Sequence, residues 1–296
     1  MCRHLAYVGP PTSLRSLLID PPHSLYRQAW APRRQRHGTV NADGFGVGWY
    51  ADGDPVPARY RRGVPMWGDP SLPDIARVTR SGAVLAAVRS ATEGTAAGEQ
   101  AAAPFGHGRW LFSHNGLLKG WPESAVRLSG GTGADGGASG PASSGPLSAG
   151  PAPDSAGIDV LLSLEAMVDS AFLWGLVLRW LRAGNTMDGA LAGTIAAIEA
   201  AGGTGRFNFL LTDGQTIAAT ARGDTLWYRR SSDAVTVASE PDDDGPGWTE
   251  VADEHVLTAC AGLVDVRPLA KPSGSPPLGG VSTTESDVST EGIFTS

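Results

Sequence analysis

The chain has 296 residues, 41% of them hydrophobic, with a formal net charge of −7, enough for a sizeable core in one large domain or two small ones. The acidic balance argues against sequence-independent nucleic-acid binding, which needs an excess of Lys and Arg to neutralise phosphate; the cluster Arg33, Arg34, Arg36 does not reverse it. Cys2 and Cys260, the only two cysteines, make neither a disulfide framework nor a zinc knuckle, and no histidines pair at metal-binding spacing. No metal or other cofactor is expected. The longest apolar run, Ser170 to Leu178, is far short of the ~20 residues that span a bilayer, so no membrane partner is expected. The absence of a secretory leader points to a reducing cytoplasm.

In chain order, the first feature is Met1-Cys2-Arg3-His4-Leu5. A small second residue permits removal of the methionine, leaving a thiol and a free α-amine on Cys2. That amine, with a pKa of about 7.7–8.0, can take the proton of its own nucleophile. Next, Asn41-Ala42-Asp43-Gly44-Phe45-Gly46-Val47-Gly48-Trp49 reads as a strand with Asp43, Phe45, Val47 and Trp49 on one face and bare backbone on the other. Something must pack closely against that bare face. A dinucleotide loop fits poorly, since the third glycine is misplaced and no helix follows.

Ala83 to Val88 reads as a buried strand ending in Arg89, whose fork suits a carboxylate, either a ligand's or that of an internal acid such as Glu93. Arg109 to Gly116 reads as a further strand, ending Ser113-His114-Asn115-Gly116. Its Asn-Gly is either a hairpin turn or a pair of donors, amide and backbone N–H, aimed at one oxyanion. His114 reads as a satisfied core histidine rather than the base of a Cys-His dyad.

From about 128 to 156 the composition is Gly, Ser, Ala and Pro, as in a flexible surface insertion. Apolar spacing then predicts a helix from Ile158-Asp159 to Ala183-Gly184, with Asp159 in its first turn, where the dipole alone would favour an acid. A second helix is predicted from Thr186 to about Ala201, capped by Asn185. Beyond Arg206 the pattern is an antiparallel meander: Phe207–Leu211, Thr216–Thr220, Thr225–Arg230 and Ala234–Ser239. Cys260 reads as an inert buried thiol, and about 272–296 as a disordered tail. The order of elements predicts an α+β domain over 1–271 in which helices cover antiparallel sheets.

Together, an N-terminal cysteine, N-A-D-G-F-G-V-G-W, R-S-A-T-E-G, S-H-N-G and an aspartate opening the next helix resemble the class II glutamine amidotransferases. These are N-terminal nucleophile (Ntn) hydrolases built as αββα sandwiches of two antiparallel sheets between helix layers. The resemblance implies that Cys2 attacks a γ-glutamyl carbonyl while its α-amine relays the proton. It further implies that Asn115 and Gly116 hold the oxyanion, Arg89 the glutamyl α-carboxylate and Asp159 the α-ammonium, with Ala91 and Thr92 lining the pocket. The family's ammonium motif usually reads D-T-E or D-S-x, whereas Asp159 is followed by Val160-Leu161. No synthase domain fits after about residue 270, so the expected activity is hydrolysis of a small-molecule γ-glutamyl amide. A glutaminase feeding ammonia to a partner and an inactive binding module stay open as alternatives. For a cationic leaving group, Tyr26, Trp30, Trp49, Trp67, Asp43 and Asp69 are candidates, and Arg33 and Arg36 for an anionic one. The oligomeric state is not legible.

Overall fold

The computed structural model describes residues 2–91, 95–129, 160–161 and 163–269. All but the first two residues of the insertion predicted at about 128–156 and the whole tail predicted at about 272–296 lie outside these residues, as do Thr92, Glu93 and Asp159.

Among the described residues, thirteen strands form two sheets. The first is ordered β11 (Trp248–Glu250), β9 (Trp227–Arg230), β10 (Val235–Ala238), β1 (Arg3–Ser13), β4 (Arg80–Val88), β2 (Phe45–Trp49), β3 (Ala58–Arg62). The second is ordered β13 (Leu263–Pro268), β12 (His255–Cys260), β8 (Thr216–Ala221), β7 (Gly205–Thr212), β6 (Trp110–Leu118), β5 (Phe105–His107). The strand pairings are antiparallel.

Alternation along each strand separates three cores. On β1, Leu5 and Tyr7 pack with α1 (Leu14–Leu18), α2 (Leu25–Gln28) and α3 (Leu72–Val78), whereas Ala6 and Val8 face Leu111, Leu210 and Leu257 of the other sheet. Beyond the second sheet, Phe112, Phe207 and Phe209 pack against α5 (Asp169–Arg182) and α6 (Met187–Ala200). A further short helix, α4 (Glu123–Leu128), follows β6. The layer order is therefore helix, sheet, sheet, helix, as expected.

The bare face of β2 meets the second sheet. A Cβ on Gly46 would overlap the Ala103 carbonyl, and one on Gly48 would lie 2.6 Å from Leu111 Cδ1. Two glycines thus let the sheets approach where side chains would hold them apart.

Four readings of the helices and strands are corrected. The predicted start at Ile158 lies outside the described residues, and the helix is not continuous from there: Val160 and Leu161 are helical, but the long helix begins at Asp169, because the backbone before it is engaged sideways, where Met167 O accepts from Ala96 N and Met167 itself is exposed. The cap of α6 is Thr186, whose Oγ1 accepts from Gly189 N, while the Asn185 amide bonds Trp180 O. The strands after Arg206 are not one meander: β7 and β8 form a hairpin in one sheet, and the chain then crosses to the other. Asn208 fixes that crossing, its Oδ1 accepting from Arg222 N and Asp224 N and its Nδ2 donating to Asp224 O. Finally, Cys260 is half-buried at the end of β12 rather than buried.

Candidate active site

Cys2 precedes β1 and is half-buried. Because Arg3 pairs with Val88, Cys2 comes level with Arg89 at the end of the adjacent strand. Both lie on the intersheet side, by the same alternation that turns Ala6 and Leu85 inward. Cys2, Arg89, Ala91, Gly116, His114, Asp169 and Ser170 line one small cleft at this end of the sandwich.

Arg89 is buried, at 7% exposure. Its guanidinium donates to Asp43 O (3.2 Å), Thr95 Oγ1 (3.1 Å) and Ala96 O (2.8 Å). These partners orient the fork without neutralising it: among the described residues, no carboxylate lies within ion-pairing distance. Asp43 also clamps the turn, taking Ala91 N on Oδ2 at 2.7 Å and donating its own backbone N–H to Arg89 O at 2.9 Å. Ala91 therefore lines the cleft with its N–H already engaged, and Asp43 is committed to shaping the turn.

On β6, Ser113 and Asn115 share the intersheet face with Leu111, and Ser113 Oγ reaches His4 Nδ1 across the gap at 3.2 Å. Extending that alignment by two residues on each strand sets Cys2 opposite Asn115. The Asn115 amide is fully buried, and neither its nitrogen nor its oxygen has a hydrogen-bond partner among the described residues. At Gly116 a Cβ would overlap the Arg206 carbonyl and the His114 ring. The N–H groups of Gly116 and Leu118 leave the strand on the same edge. Asp169 Oδ2 accepts the Leu118 N–H at 3.0 Å, and Gly116 lines the cleft. Asn-Gly is thus strand, not a hairpin turn: β6 continues to Leu118.

His114 is not a base for Cys2. Its Nε2 lies 2.9 Å from Arg206 O, which can only accept, so Nε2 carries the proton and Nδ1 accepts from Ser170 Oγ at 3.0 Å. Burial pushes its pKa down, keeping the ring neutral. His4, also buried, is pushed down to about 3 by desolvation and by the nearby Arg3.

The acid at the cleft is Asp169. It opens α5, is 7% exposed, and accepts Ser170 N on Oδ1 at 2.8 Å in addition to Leu118 N. Asp159 and Thr92 lie outside the described residues. Asp169-Ser170-Ala171 reads D-S-x, the form the family's ammonium motif takes, and that spelling was the available signal. An apolar spacing carried straight through Met167 hid it inside an overlong helix.

Of the leaving-group candidates, Asp69 is held by Tyr60 Oη (2.8 Å) and Ser71 N (2.9 Å), and Tyr26, Trp30 and Trp67 stack edge-to-face on one another. Among the described residues, no cluster of three or more His, Cys, Asp or Glu side chains is arranged to hold a metal. No described helix is long and apolar enough to cross a membrane.

With this fold and cleft in hand, the chain matches the family model for class-II glutamine amidotransferases over residues 20–132. It belongs to that family. It is 38% identical over 269 residues to the gamma-glutamyl-hercynylcysteine sulfoxide hydrolase of Mycolicibacterium smegmatis, covering 91% of this chain and 100% of that one. Against the protein of the same name from Mycobacterium tuberculosis the identity is also 38%, over 93% and 99% of the two chains. Among solved structures, a glutamine aminotransferase class-II domain protein from Silicibacter pomeroyi superposes with a TM-score of 0.58 at 26% identity, over 91% of this chain and all of that one. Bacillus subtilis glutamine phosphoribosylpyrophosphate amidotransferase, at 15% identity and a TM-score of 0.55, shares the fold over half its length.

Proposed function

We propose that the chain hydrolyses the γ-glutamyl amide of γ-glutamyl-hercynylcysteine sulfoxide to glutamate and hercynylcysteine sulfoxide, a step of ergothioneine biosynthesis. The observation that carries this reading is the convergence of Cys2, Arg89, Gly116 and Asp169 on one cleft in a chain that matches two hydrolases of that name almost end to end.

With Met1 removed, the Cys2 α-amine takes the thiol proton as sulfur attacks the γ-carbonyl. The carbonyl oxygen becomes an oxyanion facing the Asn115 amide and the Gly116 N–H, donors fixed by strand backbone before charge develops. Collapse expels the leaving amine, which takes the proton back from the α-ammonium, and leaves a γ-glutamyl thioester on Cys2. Water, deprotonated by the same amine, then releases glutamate. Arg89 binds the glutamyl α-carboxylate in two-point contact. We assign the α-ammonium to Asp169 rather than Asp159, because the Asp169 carboxylate lines the cleft and keeps lone pairs beyond its two backbone bonds. Ala91, which lines the cleft, stands beside the glutamyl chain, and Thr92 keeps the role of a pocket residue that the family resemblance gives it.

The test is a panel of γ-glutamyl compounds assayed for released glutamate with protein whose amino terminus has been read by intact mass. The reading requires Cys2 to be the first residue and the sulfoxide to be cleaved far faster than glutamine. A preference for glutamine would instead support an ammonia-supplying glutaminase, and retained Met1 an inactive binding module.

A further inference from the structure

A second cleft, of about 250 Å³, is lined by Arg33, Arg34, Trp227, Glu240 and Trp248 among others. Its polar groups are spent on one another. Glu240 accepts Arg33 N on Oε1 (2.9 Å) and Arg34 N on Oε2 (2.8 Å). Arg33, expected from sequence as a partner for an anionic leaving group, is paired with Asp244 at 2.6 Å. This cleft is a seam that holds the 33–34 loop to the first sheet. Groups open to a partner lie instead on an edge of the second sheet.

That edge is β13, beyond which no strand lies among the described residues. It pairs with β12 over six consecutive residues without a bulge, from Cys260 with Leu263 to His255 with Pro268. The phase of the ladder is set by the next pair along, where Leu269 N donates to Glu254 O at 2.8 Å. Bonded and non-bonded pairs alternate from there, so Leu263, Asp265 and Arg267 bond β12 while Val264, Val266 and Pro268 turn their backbone groups outward. Pro268 thus stands where a missing N–H costs the ladder nothing.

Sheet edges are ordinarily shielded by lysine, bulges, shortness or proline. β13 carries proline only at its last position, and its two other outward residues are valines. Leu263 and Val266 are exposed apolar side chains, at 66% and 36%. Asp265 and Arg267, two apart, share the face toward α6, where Arg267 pairs with Asp188. Asp265 is exposed and has no cation in ion-pairing distance among the described residues.

The partner that fits this edge is a second copy of it. With two antiparallel copies meeting at Val266, Asp265 of each stands opposite Arg267 of the other, at a non-bonded pair where side chains approach most closely. Val266 exchanges two backbone bonds with its own copy, and each Val264 N–H meets the other copy's Pro268 carbonyl. Sliding the strands so that Val264 meets Val266 would set Asp265 against Asp265, like charges directly opposite. Charge therefore selects one register. We propose that β13 is a self-association edge, joining the six-stranded sheets of two copies into one continuous sheet about a twofold axis at Val266. The Cys2 cleft takes no residue from this edge, and β6 lies four strands in from it.

The experiment is sedimentation equilibrium of the intact protein from about 5 to 500 µM, a range suited to a small interface. Wild type should move from 30.6 kDa toward twice that mass. Asp265→Lys and Arg267→Glu each replace attraction by repulsion and should raise the dimer dissociation constant about tenfold or more. An equimolar mixture of the two should recover it, because the introduced lysine then faces the introduced glutamate while the native pair forms beside it. Val266→Pro removes an outward N–H and no bond to β12, and should abolish association. Turnover per chain should be unchanged in all three variants, so the result is independent of the substrate assigned above. A wild type that stays monomeric at about 500 µM overturns the proposal. Dimers that persist in Asp265→Lys and Val266→Pro place the contact elsewhere and overturn it too, as does a mixture no tighter than its components.

Discussion

The two clefts differ in how they are held. Around Cys2 the functional groups are fixed by backbone: Arg89 by two carbonyls, Asp169 by two N–H groups, Gly116 by a strand with no room for a Cβ. Around Trp227 the walls are joined by side-chain ion pairs between loops, several of them exposed, such as Arg33–Asp244. Buried backbone anchoring resists salt and substitution, whereas exposed pairs are screened and each contributes little. The Cys2 cleft is therefore the one whose geometry the fold fixes, and the Trp227 cleft the one whose walls can shift with their ion pairs.

The sharpest break of this contrast comes at the nucleophile. Cys2→Ala should reduce kcat by about 10⁴ or more, since no second base stands in for the Cys2 pair, while the melting temperature stays close to wild type. Appreciable residual turnover would mean that the bond is cut from elsewhere. Asn115→Ala should cost on the order of 10²–10³ in kcat with KM little altered, as expected for a donor that acts on the transition state. An effect confined to KM would remove Asn115 from the oxyanion site.

Next comes the choice between two aspartates. Asp169→Asn should raise KM for any γ-glutamyl compound by about tenfold or more, because a neutral amide keeps the Leu118 and Ser170 contacts yet loses the charge opposite the α-ammonium. Asp159→Asn should leave KM within about twofold, and the reverse order would return the role to Asp159. Measuring glutamate itself as a product inhibitor gives the same comparison without the leaving group.

These residues also show what a single sequence can and cannot disclose. Arg89 was legible because a buried strand that stops at an arginine is a local signal, and Gly46 and Gly48 because alternation with larger residues marks a face something must approach. Asp169 was obscured by apolar positions 161, 164 and 167, whose helical spacing continues through a segment that the fold spends on a bond between Met167 O and Ala96 N. Tertiary contact overrode periodicity there. The Trp227 cleft had no local signature: Arg34, Trp227 and Glu240 come together only because β10 lies beside β1 and the loop after α2 folds back over both. Asn208 was similarly silent, since redirecting a chain between sheets is a role that an asparagine in a strand does not announce.

Titration should distinguish the buried end as well. His4 and His114 are neutral in the fold, with pKa values depressed by burial, to about 3 for His4. The unfolded chain binds protons on both near their ordinary value of about 6.5. Between those limits the unfolded state holds more protons, so stability is greatest above pH 6.5 and declines as pH falls toward 3. His4→Gln keeps a partner for Ser113 but cannot titrate, and it should flatten the fall in melting temperature between pH 6.5 and 4. An unchanged slope would mean that His4 accepts a proton without unfolding.

The smallest expected effect bears directly on the contrast between the two clefts. Raising ionic strength from about 0.05 to 0.5 M shortens the Debye length from roughly 14 to 4 Å, which weakens exposed pairs such as Arg33–Asp244 far more than contacts made at the buried Arg89. KM for γ-glutamyl-p-nitroanilide, a substrate that engages the glutamyl pocket alone, should therefore stay within about twofold. If it rises severalfold, the salt dependence lies at Arg89 and Asp169. The glutamyl pocket would then be the screened site, and the division between a backbone-fixed cleft and an ion-paired one would fail.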